Sequence, residues 1–309
     1  MVSAGDLGER ELIRKAMTIV RPYPSPGQTD DAVLFGDNMV ICTDIVSLER
    51  HFSKGMSYEE FGWTAAAVNF SDIAGMGARP LCFLAAMSVP KDIDEENFLD
   101  MISGMEECAK TCGAFIVGGD TKFGAGMIAG TAVGSLDGRK PLLRSGARPG
   151  DMVAITGPLG SAAAGYFALE NDIDRVPLAS LRTPMPRTKE GLALSKSDIV
   201  SSCMDLSDGL AEGVKTICNA SRVGMDIHMD FIPEGDGVDI VSARTGMDKK
   251  DLMLYWGGDY ELLFTFAKDD INALYDNDVD FSIIGKVTND SRPYINEGEE
   301  RTVMKDGRY

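Results

Sequence analysis

The sequence predicts an α/β (α+β) fold in two domains. Its 309 residues, 44% of them apolar, are enough to bury two ordinary cores. Short apolar runs bounded by turn residues alternate with stretches of helical period in both halves. Between the halves, SLDGRKPLLRSGARPGD (135–151) is basic and rich in Gly and Pro. That stretch marks the expected boundary, giving domains 1–140 and 141–309.

Residues 6–20 read as an amphipathic helix carrying Leu7, Leu12, Ile13, Ala16, Met17 and Val20. Pro22, Pro24 and Pro26 then impose an extended loop. Ala32–Phe35 and Met39–Thr43 flank a GDN turn, a hairpin signal. Residues 58–76 and Ile93–Cys112 read as helices, and Leu81–Val89 as a buried strand. Ala114–Val117 is a strand expected to end in a glycine turn at GGDT, before another strand near Met127–Val133. In the second half, MVAIT and SSCMD are strands, and the turns after them open helices.

A formal net charge of −18 argues against nucleic acid and anionic membranes as partners, because both select Lys and Arg. No signal core or membrane-length apolar run is visible, so the expected location is cytoplasmic. None of the six cysteines forms a Cys-x-x-Cys pair; reduced packing thiols are the expectation, Cys108 and Cys112 included. The 17 methionines read as core filling.

Seven aspartates stand at the ends of apolar runs or in glycine-marked turns: Asp30, Asp31, Asp44, Asp72, Asp120, Asp205 and Asp208. A carboxylate where a strand runs out is rigidly held and open at its tip. Several together suit Mg²⁺, which takes oxygen ligands and shares them with waters and substrate phosphates. Asp30 and Asp31 are adjacent, so only one should face a given ion. In GGDT (Gly118–Thr121) two glycines permit close phosphate approach beside Asp120; a plain turn is the alternative. In LSDGL (Leu206–Leu210), Ser207 or Asp208 suits an N-cap, yet Asp205 adds a second acid that no cap needs. His51 is either a phosphate contact or an ordinary surface residue. DYELLF (Asp259–Phe264) reads as an alternating strand whose Glu261 faces a site or water; Trp256 and Tyr260 stack on a ligand ring or simply pack.

In this order, DDAVL, TD-x6-HF, VNFSDIAGMGARP, GGDT, RSGARPGD, DLSDGL and GGDYELLF resemble the thiamine-monophosphate kinase family, in its archaeal form, over nearly the whole chain. The resemblance implies an aminoimidazole ribonucleotide synthetase-like fold. It implies a homodimer whose N-terminal sheets pair into a barrel-like layer, and an α/β C-terminal domain. The implied reaction is ATP-dependent, Mg²⁺-assisted transfer of a phosphoryl group to thiamine monophosphate. Matched to the motifs, Asp31, Cys42, Thr43, Asp44, Asp72, Asp120, Asp205 and Asp208 resemble metal ligands, with Asp72, Asp120 and Asp208 central to catalysis. Gly119, Asp120, Arg144 and Ser207 resemble ATP contacts, and His51 a substrate contact. The chain departs from the family at Thr29, where glycine is usual, and at Phe123, an arginine position near which Lys122 offers a substitute charge. It also departs at Gly258, which stands in the column of a substrate-binding glutamate. Asp259 or Glu261 is then the expected compensation, and Tyr309 the aromatic residue near the C-terminus.

Two other readings stay open. An aminoimidazole ribonucleotide synthetase-like enzyme shares the fold class, although TD-x6-HF and DYELLF fit it poorly. A non-catalytic nucleotide-binding regulator is favoured only by the altered GGEDYEL motif. The cysteine tail of the hydrogenase-maturation type and the reactive Cys of selenophosphate synthetase are both missing from the motif positions.

Overall fold

The chain builds two separate sheets, each backed by its own helices. The structure is a computed structural model and describes residues 4–20 and 30–305. The first sheet contains β1 (Val33–Phe35), β2 (Met39–Ser47), β3 (Arg79–Val89), β4 (Phe115–Phe123) and β5 (Met127–Ser135), in the order β1-β2-β5-β3-β4. β1 and β2 form the expected hairpin, with Val33 opposite Ile41. β3 and β4 run parallel, and the helix Glu95–Thr111 supplies the crossover such pairs require.

The second sheet contains β6 (Met152–Ile155), β7 (Val200–Asp205), β8 (Gly224–His228), β9 (Leu262–Phe266), β10 (Ser282–Thr288), β11 (Tyr294–Glu297) and β12 (Glu300–Val303). Their order is β12-β11-β8-β10-β6-β9-β7. Apart from the β8–β11 pair, its ladders are antiparallel, so the mixed α/β character comes from helix placement more than from parallel strands.

The helix Tyr58–Gly75 is central. Ser57 and Glu60 close a reciprocal capping box at its start: Glu60 N–H donates to Ser57 Oγ at 3.1 Å, and Ser57 N–H to Glu60 Oε2 at 2.7 Å. The helix is buried on almost every side, as a helix enclosed by packing must be. Two glycines let its neighbours approach. A Cβ at Gly104 would lie 1.8 Å from the Glu59 carbonyl, and one at Gly191 would lie 2.3 Å from the Ala74 carbonyl. A small apolar cluster of Ala74, Leu142, Leu194, Phe264 and Phe266 joins the two halves at the C-terminal end of this helix. That end carries Ser71 and Asp72.

Three expectations need correction. The helix over 6–20 is two shorter ones, Ala4–Leu7 and Glu9–Ala16, broken at Gly8, which takes φ 73°. GGDT is not a turn: β4 runs through it, and Gly119 is needed because a Cβ there would meet the Ala85 carbonyl at 2.0 Å. DYELLF is a strand only from Leu262; Asp259–Glu261 lie before it and are tied down by side-chain bonds described below. The loop of Pro22, Pro24 and Pro26, and Thr29, fall outside the described residues. Among the described residues no helix is long and apolar enough to cross a membrane.

Candidate active site

Three elements remote in sequence bring carboxylates together. Asp31 lies just before β1, Asp72 in the last turns of the central helix, and Asp205 at the end of β7. One carboxylate oxygen of each lies within 4.8 Å of the others. Ser71 Oγ donates to Asp205 Oδ2 at 2.6 Å, and the Asp205 N–H donates to Asp31 Oδ2 at 3.2 Å. Arg144 donates to Asp31 Oδ1 from Nη2 at 2.6 Å and Nε at 2.8 Å, and its backbone N–H reaches Asp30 Oδ1 at 2.5 Å. Gly75 leaves the space: a Cβ there would sit 2.2 Å from Asp31 Oδ2.

These acids are under strain from one another. Burial, and then the charge of Asp31, push Asp205 up to about 8. Burial raises Asp31 to about 6 even though Arg144 pulls the other way. Asp72 is held well above the carboxylate range by burial, then by Asp205, Asp44 and Asp31. One arginine and one serine do not offset three desolvated acids, of which Asp205 is fully buried. A hard divalent cation with oxygen ligands fits the donor set and would favour the charged forms.

Asp44 belongs to this cleft. Its backbone N–H donates to Asn69 Oδ1 at 3.0 Å, and its charge acts on Asp72 and Asp205. Ser207 and Asp208 are exposed beside it, in the turn after β7. The N-cap of the following helix is Gly209, with no side-chain cap bond. Thr43 Oγ1 donates to the Gly130 carbonyl at 2.6 Å. The Cys42 thiol donates to the Asn69 carbonyl at 3.2 Å and is pushed well above its usual value, chiefly by burial, so it is a protonated thiol. His51 Nδ1 accepts from the Ser47 N–H at 3.0 Å. Desolvation, and to a lesser degree Arg50, hold it below its ordinary value, and a neutral ring leaves Nε2–H free to donate.

Asp120 is not brought into this group. Asp44 pairs with Gly130, which pairs with Ala85, whereas Asp120 pairs with Ala86. Paired residues share a face and successive residues alternate, so Asp44 and Asp120 lie on opposite faces of the sheet. The register shift between β3 and β4 at Phe83/Leu84 sets this phase, and it has no signature in the sequence. Both Gly119 and Asp120 stand on the edge strand β4, and Gly119, paired with Ala85, shares the face of Asp44.

The two acids expected to replace the missing glutamate are engaged elsewhere. Asp259 accepts from the backbone N–H groups of Gly160 at 2.7 Å and Ala162 at 3.0 Å, holding the start of the helix Ser161–Glu170. Glu261 is buried and accepts from Arg187 Nε at 2.7 Å and Thr156 Oγ1 at 2.7 Å. Tyr309 lies outside the described residues. Sequence reasoning passed over Ser71, Asn69 and Arg187. The polar residues flanking Asp72 in NFSD were a usable signal for the first two; nothing local marks Arg187.

The fold and the acidic cleft define a class. The family model for AIR synthase related protein, N-terminal domain, matches residues 28–136, and that for its C-terminal domain matches residues 148–296. The chain is 32% identical over 281 residues to a thiamine-monophosphate kinase of Methanopyrus kandleri, covering 90% of this chain and 88% of that one. It is 34% identical over 266 residues to the Pyrococcus abyssi thiamine-monophosphate kinase, covering 85% and 82%. The solved structure of AaThiL complexed with AMPPCP and TMP superposes with a TM-score of 0.85 at 24% identity, covering 99% of both chains, a likeness of fold. The chain belongs to the thiamine-monophosphate kinase family.

Proposed function

We propose that this chain transfers the γ-phosphoryl group of ATP to the phosphate of thiamine monophosphate, giving thiamine diphosphate and ADP. The observation that carries the reading is the meeting of Asp31, Asp72 and Asp205 from three elements, with Asp44 and Asp208 beside them. Such a cluster suits phosphoryl chemistry, in which the protein positions and neutralises more than it bonds. Mg²⁺ held by these acids supplies the positive charge that lets two phosphates approach.

The chain's own residues do the rest. Arg144, itself fixed by Asp31, presents a guanidinium at the rim of the cleft for a donor phosphate. Ser71 keeps Asp205 oriented. His51 offers Nε2–H to the acceptor. An acceptor phosphate oxygen is already anionic, so its attack on the γ-phosphorus needs no general base, and the bond to the β-phosphate bridging oxygen breaks as ADP leaves.

We assign the chain to the cytoplasm and to a homodimer. The face of the first sheet turned away from its helices, with its β4 edge, exposes Ile45, Leu84, Phe115, Val117 and Phe123, and pairing of two copies there would cover them. Gly119 and Asp120 then lie at the dimer interface. The deciding experiment is ³¹P NMR of the protein with Mg²⁺, ATP and thiamine monophosphate. ADP with a new diphosphate pair is the expected result. Unchanged substrates at high enzyme concentration overturn the reading.

A further inference from the structure

Tyr260 is left unexplained by the acids around it. It is a bulky residue at φ 52°, in the left-handed region where such side chains are uncommon. Conformations of this kind persist only where the surroundings over-determine them, and they gather at functional sites. Here the constraints are visible. On one side Asp259 is held by the N–H groups of Gly160 and Ala162; on the other Glu261 is held by Arg187 and Thr156. The Tyr260 N–H donates to the Leu206 carbonyl at 3.3 Å, and the Gly258 N–H donates to the Ser207 carbonyl at 2.9 Å. Gly257 permits this seating, because a Cβ there would lie 1.9 Å from the Ser207 carbonyl. The segment 257–260 is thereby laid along the Asp205–Asp208 turn.

The phenol is only partly buried, and among the described residues its hydroxyl makes no hydrogen bond. Burial first, and then the fields of Asp205, Asp44, Asp72 and Asp208, hold it above its ordinary value. It is therefore a neutral O–H donor in the field of the same four carboxylates, on a segment bonded along the Asp205–Asp208 turn. A packing role would explain the ring but not the strain, the double anchorage or the open hydroxyl.

We infer that Tyr260 is a substrate-contacting residue whose hydroxyl donates to a phosphate oxygen held in the carboxylate cleft. The inference rests on the phosphoryl-transfer reading and adds a residue to it. Hydrogen bonds to an anionic oxygen are shorter and roughly twice as strong as neutral ones. An uncharged donor makes one without competing with a cation for the acids. Asp259, Glu261 and Arg187 act through Tyr260 as positioning residues.

The test compares wild type with Tyr260→Phe, which keeps the ring and removes only the donor. The expected result is an unchanged melting temperature with kcat/KM lowered about 10- to 100-fold. Kinetics indistinguishable from wild type overturn the inference. A second measurement does not depend on turnover or on the variant folding. Wild-type protein carrying tyrosine labelled with ¹³C at Cζ is titrated with Mg²⁺ and AMPPCP, and separately with Mg²⁺ and thiamine monophosphate. The Tyr260 resonance, assigned by its loss in the variant or by label placed at that position alone, is expected to move with at least one ligand. The ligand that moves it identifies the phosphate contacted. Should wild type fail to phosphorylate thiamine monophosphate, the kinase reading falls and this shift alone decides: movement upholds the contact, and no movement with either ligand overturns it.

Discussion

Ser71 Oγ lies 2.6 Å from Asp205 Oδ2, joining the central helix of the first half to the last residue of β7 in the second. Among the described residues it is a direct side-chain bond between the two sources of the acidic cluster. Charge-assisted bonds of this kind contribute about 1.5–3 kcal/mol. Ser71→Ala should weaken divalent-metal affinity about tenfold or more, read by titration calorimetry with Mn²⁺. Unaltered affinity would show that Asp205 is oriented by its other neighbours.

Asp72→Asn should separate stability from activity. Burial and the neighbouring acids make Asp72 take up a proton on folding at neutral pH, a cost that asparagine does not carry, so the metal-free variant should melt higher than wild type. Its turnover should nonetheless collapse with the fold intact. Near-normal turnover, measured by ADP release, would remove Asp72 from the mechanism.

The metal-free protein should lose stability as pH rises. Folded-state values of about 6 for Asp31 and about 8 for Asp205 exceed the ordinary carboxylate value of 3.8. The folded chain thus holds protons that the unfolded chain has released, and the stabilisation is full only below about pH 4. It is lost progressively as pH passes through about 6 and about 8. With a chelator present, melting temperature should fall across that window. Added Mg²⁺ should raise it more at the alkaline end, where the ligands are already ionised. A Mg²⁺ effect that is flat with pH would contradict this.

The Arg187–Glu261 pair should behave as a buried ion pair. Arg187→Met strands the Glu261 carboxylate, whose side chain is 4% exposed, and should cost about 3–5 kcal/mol in urea unfolding. Adding Glu261→Leu should recover much of that loss. The double variant should still be impaired in turnover, because Tyr260 loses one of its anchors.

The outer face of the first sheet should hold two copies together. Val117 and Phe115 are 60% and 70% exposed, and replacing both with lysine should yield a monomer by light scattering. A wild-type protein that is already monomeric would sink the dimer assignment.

Much of this molecule is written locally. Alternating or helical spacing of apolar residues marked strands of both sheets, the hairpin at β1–β2 and the helix that carries Asp72, because burial periodicity follows backbone geometry alone. Aspartates at strand ends pointed to a cation and phosphates, because that chemistry depends on residue type and rigid placement. Which acids meet was decided only by tertiary structure. A register shift in the β3–β4 ladder sent Asp120 to the opposite face from Asp44. Long-range partners engaged Asp259 and Glu261, one with a helix N-terminus and the other with Arg187, 74 residues away. A local pattern specifies which face of its own element a side chain takes. The partner that face meets is set by how sheets and helices pack, and no local pattern carries that information.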